Sequence, residues 1–144
     1  MTSSANETRK FMQDYLQAMS GRTKTRVTIT QFVSDPGLIE HIEAVEAAFP
    51  GYELLCERMA VDGDLVAMQG TFRGKHLGAF AGFEPTGKTV SAGLMIFYRL
   101  GNGRIEEHWL QFDNAGLMAQ LAEAAAQGAG TRRVGAPEMA AALA

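Results

Sequence analysis

The side chains best placed to do chemistry gather in one stretch, Gly101–Leu121, GNGRIEEHWLQFDNAGLMAQL. Gly101-Asn102-Gly103 has the residues of a tight hairpin turn, Arg104–Phe112 reads as a strand, and Asn114–Ala126 carries Leu117, Met118 and Leu121 at helical spacing. Asp113 stands at the junction. An aspartate there has two readings: a cap for the helix it precedes, or a general acid/base at the mouth of a cavity. In a regular strand Glu107, Trp109 and Gln111 share the side of Asp113, and His108, Leu110 and Phe112 take the other. The expectation is that Trp109 and Gln111 accompany Asp113 in a pocket while His108 joins a packing surface. A β-bulge would exchange the two sets.

The three histidines come from a helix (His41), a loop (His76) and a strand (His108). His41 borders the apolar stripe formed with Leu38 and Val45 and reads as a boundary residue. His76 reads as a solvated loop residue, with contact to a ligand at the pocket rim as the other reading. Tyr15 lies on an apolar helix stripe, where a core tyrosine is favoured over a phenol reaching into a pocket. These residues, with Trp109, Gln111 and His108, are the candidate substrate contacts. No HExxH or Cys/His cluster has the spacing of a metal site, no glycine pattern fits a nucleotide loop, and no Gly-x-Ser-x-Gly is present. Neither metal nor cofactor is expected.

The elements that must position these residues follow from periodicity. Ser4-Ala5-Asn6-Glu7 matches a capping box, and Phe11, Met12, Tyr15, Leu16 and Met19 follow at helical spacing, so a first helix is expected over about residues 5–20. Asp35-Pro36 caps and opens a helix carrying Leu38, Ile42, Val45 and Phe49. Thr25–Val33 alternates like a strand, with many β-branched residues. Strands are expected at Tyr52–Val61, Leu65–Lys75, Lys88–Leu100 and Arg104–Phe112, joined by hairpin-like links around Asp62-Gly63-Asp64, through His76–Gly87 and at Gly101-Asn102-Gly103. That order gives an α+β fold: an antiparallel meander with helices on one face.

Gly103-Arg104-Ile105, Glu107-His108-Trp109, Asp113 and Gly116-Leu117-Met118 with Gln120-Leu121 resemble the SnoaL-like polyketide cyclases of the nuclear transport factor two-like superfamily. Ala47-Ala48-Phe49-Pro50, Gly70-Thr71-Phe72-Arg73-Gly74 and Phe80–Lys88 fit the same family in the same order, so the resemblance covers roughly residues 38–121. It implies a curved antiparallel sheet forming a cone, with the N-terminal helices on its concave face and a ligand cavity between. It implies a helix at Thr25–Val33, against local propensity. It also implies Asp113 as the acid/base. The implied reaction is an aldol-type cyclisation, or a related isomerisation, of a small apolar carbonyl compound. The competing reading is a non-catalytic binding or accessory protein. A solvent-facing Asp113 that caps its own helix favours the binder, and one facing a closed cavity beside Trp109 favours the enzyme.

At 144 residues the chain is expected to form one domain over residues 1–127, with a flexible tail or short helix over 128–144. A net charge of −3 offers no basic surface for nucleic acid, and no apolar run is long enough to span a bilayer. The polar N-terminus and the single cysteine, Cys56, fit a cytoplasmic protein, with Cys56 an inert strand residue. Two apolar faces on the third and fourth strands predict a homodimer through the outer sheet face.

Overall fold

The computed structural model describes residues 4–127; the expected C-terminal segment lies outside the described residues. Helices α1 (Ala5–Met19), α2 (Arg26–Phe32) and α3 (Pro36–Ala48) precede strands β1 (Glu53–Asp62), β2 (Leu65–Lys75), β3 (Thr89–Gly101) and β4 (Arg104–Phe112), and α4 (Asn114–Gln127) follows. The strands form one antiparallel sheet in the order β1-β2-β3-β4. No helix among the described residues is long and apolar enough to cross a membrane.

Local chemistry sets the helix boundaries. Ser4 and Glu7 exchange the reciprocal bonds of a capping box at α1. Thr25 caps α2 by accepting from the Thr28 amide, which helps a β-branched segment stay helical. Asp35 accepts from the amides of Gly37 and Leu38 at the start of α3. Ile29, fully buried, anchors α2 in the core. Tertiary burial thus overrides the strand propensity of Thr25–Val33.

One face of the sheet packs on the helices. Val66, Met68 and Phe72 of β2 meet Val90, Ala92, Leu94, Ile96, Tyr98 and Leu100 of β3 there, all buried, with Met12, Tyr15, Leu38, Ile42 and Val45 from the helices opposite. The β3–β4 hairpin turns through Asn102 and Gly103, whose φ values of 52° and 77° belong to a two-residue turn with both central residues left-handed. Beyond the sheet, α4 lies along the end of β3. The Gln120 side chain donates to Ser91 O and accepts from Ser91 N, at 2.6 and 3.0 Å, as a neighbouring strand would.

The segment 76–88 closes one end of the core. The amides of Leu77 and Gly78 both donate to Ala48 O at 3.0 Å, and Phe80 packs edge-on against Phe49 with ring centroids 5.3 Å apart. A Cβ on Gly78 would fall 2.3 Å from Ala47 O and 3.1 Å from the Ala48 Cα, both backbone atoms at the end of α3. Gly78→Ala should therefore cost about 1–3 kcal/mol through overpacking. Urea denaturation of the two proteins measures this, and an unchanged midpoint would show that the loop moves away freely.

Candidate functional site

A cavity of about 50 Å³ lies between the concave sheet face and the helices. Its walls are Leu94, Ile96 and Tyr98 of β3, Leu110 and Phe112 of β4, Phe72 of β2, Leu54 of β1 and, from the helices, Tyr15, Leu38, His41, Ile42 and Val45, with Tyr52 from the loop before β1. The lining is apolar except for three phenols and one imidazole.

The β4 residues in this wall are not those that strict alternation gives. Leu100 pairs with Ile105 and Arg99 with Glu107, so Glu106 is an extra residue in β4. Ile105 is fully buried in the core, and the bulge transfers the inward face from Ile105 to His108, Leu110 and Phe112. Trp109 and Gln111 do share a face, but it is the outer one, where Trp109 is 49% exposed beside Met95 and Phe97. This corrects the expectation that Trp109 and Gln111 line the cavity; His108 turns to the inner face of the sheet but is not among the residues that line the cavity.

Asp113 is exposed. Its Oδ1 accepts from the Gly116 amide at 2.9 Å, capping α4, and a Cβ on Gly116 would meet the carboxylate at 2.2 Å. It borders a shallow groove with Glu57, Gln69, Gly93 and Gln111, and that groove shares Leu94 and Phe112 with the cavity wall. His76 is fully buried rather than solvated. Its ring lies 5.3 Å from Phe49, its Nδ1 accepts from the Thr86 amide at 3.2 Å, and burial lowers its pKa. It lines none of the cavity, so the rim contact is not found. Cys56 is exposed on β1 with its thiol pKa pushed up by partial burial, which leaves little nucleophilic thiolate.

His108 has a partner that sequence spacing does not reveal. Its Nδ1 is 2.7 Å from Oδ2 of Asp35, and both side chains are 17% exposed. Backbone pairing builds this contact. Val33 bridges to Ile105 in parallel register, and the amides of Ser34 and Asp35 donate to Ile105 O at 2.9 and 3.2 Å, which brings the start of α3 beside β4. The ionised carboxylate accepts only, so Nδ1 carries the hydrogen and Nε2 of the neutral ring keeps its lone pair. An imidazole held in that tautomer can take a proton from a ligand. His41 sits in the cavity wall, close enough for the His108 charge to act on it. Burial first, and His108 second, lower its pKa to about 4. At neutral pH it is an uncharged imidazole, able to donate or accept a hydrogen bond. Tyr15 and Tyr98, 3% and 1% exposed, face each other edge-on at 5.9 Å, and burial raises the pKa of both phenols. Among the described residues no group of three or more His, Cys, Asp or Glu is arranged to hold a metal ion.

The SnoaL-like polyketide cyclase family model matches residues 10–121. The chain belongs to this family. Three solved structures illustrate how the family fold is shared. AclR, a proposed hydroxylase from Streptomyces galilaeus, is 24% identical with a TM-score of 0.72, over 83% of each chain. IdmH, a proposed polyketide cyclase from Streptomyces antibioticus, is 22% identical with a TM-score of 0.66, over 81% of this chain and 99% of its own. A SnoaL-like polyketide cyclase from Agrobacterium tumefaciens is 18% identical with a TM-score of 0.64, over 79% and 97%. No curated protein sequence is significantly similar to the chain. At these identities the likeness establishes the fold and leaves the reaction to the residues themselves.

The lowered pKa of His41 has a consequence for stability. The unfolded imidazole binds its proton near 6.5 and the folded one only near 4, so the unfolded state holds more protons between those values. This share of stability is complete above pH 6.5 and declines as the pH falls towards 4. His76, shifted the same way, acts in the same direction. His41→Gln should flatten the slope of unfolding free energy against pH in that window. Urea titrations at a series of pH values measure it, and identical slopes would refute the buried neutral imidazole.

Proposed function

We propose that the protein catalyses cofactor-independent acid/base chemistry on a small apolar carbonyl compound, as an aldol-type cyclisation or a related isomerisation. The observation that carries this reading is the 2.7 Å contact between His108 and Asp35; neither lines the apolar cavity, but His108 is the cross-strand partner of Tyr98, which does. His108 Nε2 removes a proton from the carbon α to a carbonyl, and that carbonyl becomes an enolate. The enolate carbon then forms a bond to a second carbonyl carbon of the same molecule. The resulting alkoxide recovers the proton from the imidazolium, so the product is an isomer of the substrate. Asp35 holds the tautomer and balances the charge on the ring. Apolar walls exclude water and orient the two carbonyls. A cavity of about 50 Å³ suits a small group, and larger substrates require the helices to part from the sheet.

Asp113, the residue that the family resemblance favours, has as support its place on the groove with Glu57 and Gln111. Its exposure and helix cap also favour the competing reading, a binding or accessory protein without catalysis. One assay separates these, using a substrate found by screening small β-dicarbonyl compounds and polyketide methyl esters. His108→Gln should lower kcat about 10²–10⁴-fold. Asp35→Asn should also lower kcat while leaving thermal stability nearly unchanged, because Asn caps α3 as Asp does. Asp113→Asn should leave turnover intact. Wild-type turnover in His108→Gln would remove the dyad, loss confined to Asp113→Asn would restore the carboxylate, and ligand binding without turnover of any compound would favour the binder.

The assembly reading is a homodimer through the outer sheet face. Met95, Phe97 and Trp109, 60%, 47% and 49% exposed, form its apolar patch, in place of Leu110 and Phe112, which the bulge turns inward. A contiguous patch of this kind in water calls for a cover, and a two-fold partner supplies the same patch. The cytoplasm remains the expected compartment. Light scattering at micromolar concentration should give twice the 15.5 kDa chain mass, and Trp109→Glu should halve it. A monomeric wild-type mass would exclude the dimer.

A further inference from the structure

The proposed chemistry leaves unassigned the deepest polar groups of the cavity, the hydroxyls of Tyr15 and Tyr98. Both side chains are almost wholly buried, and both line the cavity. Their rings meet edge-on at 5.9 Å, the two hydroxyls act on each other, and Tyr52 and Cys56 also act on Tyr98. Buried hydroxyls ordinarily find a partner. Two phenols offer two O–H donors, and a mutual bond uses only one, so one hydrogen remains to be donated into the cavity. The rings cannot easily turn away. Tyr15 is held edge-on by Phe32 at 5.7 Å and by Tyr98 at 5.9 Å. Tyr98 is the cross-strand partner of His108 on the same inward face.

We propose that the Tyr98 and Tyr15 hydroxyls form the oxygen site of this cavity, taking the carbonyl oxygen of the ligand and holding it as it becomes an enolate. The inference rests on the acid/base reading above and names its ligand class: a carbonyl compound with an acidic α-hydrogen, bound most tightly as its enolate. Burial keeps both phenols protonated through the neutral range, so they stay donors. Apolar walls of Leu94, Ile96, Leu110 and Phe112 surround them, and a hydrogen bond to a developing negative charge is strongest where water is excluded. His108 and the Tyr98 donor are cross-strand partners on one face of the sheet, with Tyr15 opposite them on α1. A carbonyl oxygen on the phenols therefore directs its α-carbon along that face, towards the β4 rim.

The probe is cyclopentane-1,3-dione, a small planar β-diketone that is already an enolate at neutral pH, so its binding needs no proton transfer to His108. Calorimetric titration of the full chain should show binding. Tyr98→Phe, which removes one oxygen and no ring contact, should weaken it about 10- to 100-fold, and Tyr15→Phe should weaken it less. His108→Gln should change the affinity by no more than about twofold, even where it abolishes turnover. Equal affinity in wild type and Tyr98→Phe, with both folded by circular dichroism, would overturn the oxygen site. So would an affinity that falls with His108→Gln and not with Tyr98→Phe, or no binding by the wild type. A failed base assignment shows only in turnover, and a failed oxygen site shows in enolate affinity.

Discussion

Between Ile105 and His108 the fourth strand carries one residue more than its partner needs, and the inner surface of the protein depends on how that residue is stored. Glu106 is placed outside the pairing, with its carboxylate over Gly101 and within reach of Asn102 Nδ2 at 3.1 Å. A Cβ on Gly101 would lie 1.9 Å from Glu106 Oε1, so a larger residue there would displace the flexible end of the Glu106 side chain. Ile105 can then enter the core while His108, Leu110 and Phe112 also face inward. Without the extra residue, burying Ile105 would bury Trp109 and Gln111 as well and push His108 out.

The helical side of the cavity depends on a buried cation. Lys24, 5% exposed, donates to Arg22 O at 2.8 Å, to Tyr52 O at 2.7 Å and to Glu46 Oε1 at 3.3 Å, and its Nζ stands 3.9 Å from the Tyr52 ring centroid. Burial lowers its pKa and Glu46 offsets part of that. Glu46 also accepts from the Gly51 amide through both oxygens, at 3.0 and 3.1 Å. The link before α2, the end of α3 and the approach to β1 are therefore tied at one point, and Tyr52 is fixed as a cavity wall. A charge pair this deep is weak evidence for net stability, since desolvation opposes the Coulomb gain. What it provides here is position.

The parts of this fold that local chemistry decides were legible in the residues. The Ser4–Glu7 box, the Asp35-Pro36 start and the Asn102-Gly103 turn each satisfy specific backbone groups, and the structure uses all three. Thr25–Val33 shows the limit, because its alternation is a genuine strand signal. Only the buried face offered to Ile29 makes it a helix, and the family resemblance rather than periodicity pointed there. The inward face of β4 was legible only up to parity, because one bulge reverses the assignment and leaves the composition unchanged. Asp35 was readable as a cap, but its second partner lies 73 residues away. No local spacing encodes a contact made by a bridge between Val33 and Ile105. His76, placed by its loop position, was misjudged because the loop folds back onto Ala48 and buries it.

The dyad also explains why a carboxylate this close to the cavity is a poor candidate for the base. Asp35 Oδ1 already takes the Gly37 and Leu38 amides, and Oδ2 takes His108, so three donors share one negative charge at a helix N-terminus. The imidazole differs, because its second nitrogen is not spent on the fold. The fold thus keeps the Asp35 carboxylate out of the cavity lining and presents neutral groups to the interior: His41, Tyr15, Tyr52 and Tyr98. An apolar ligand can enter such a space without desolvating an ion.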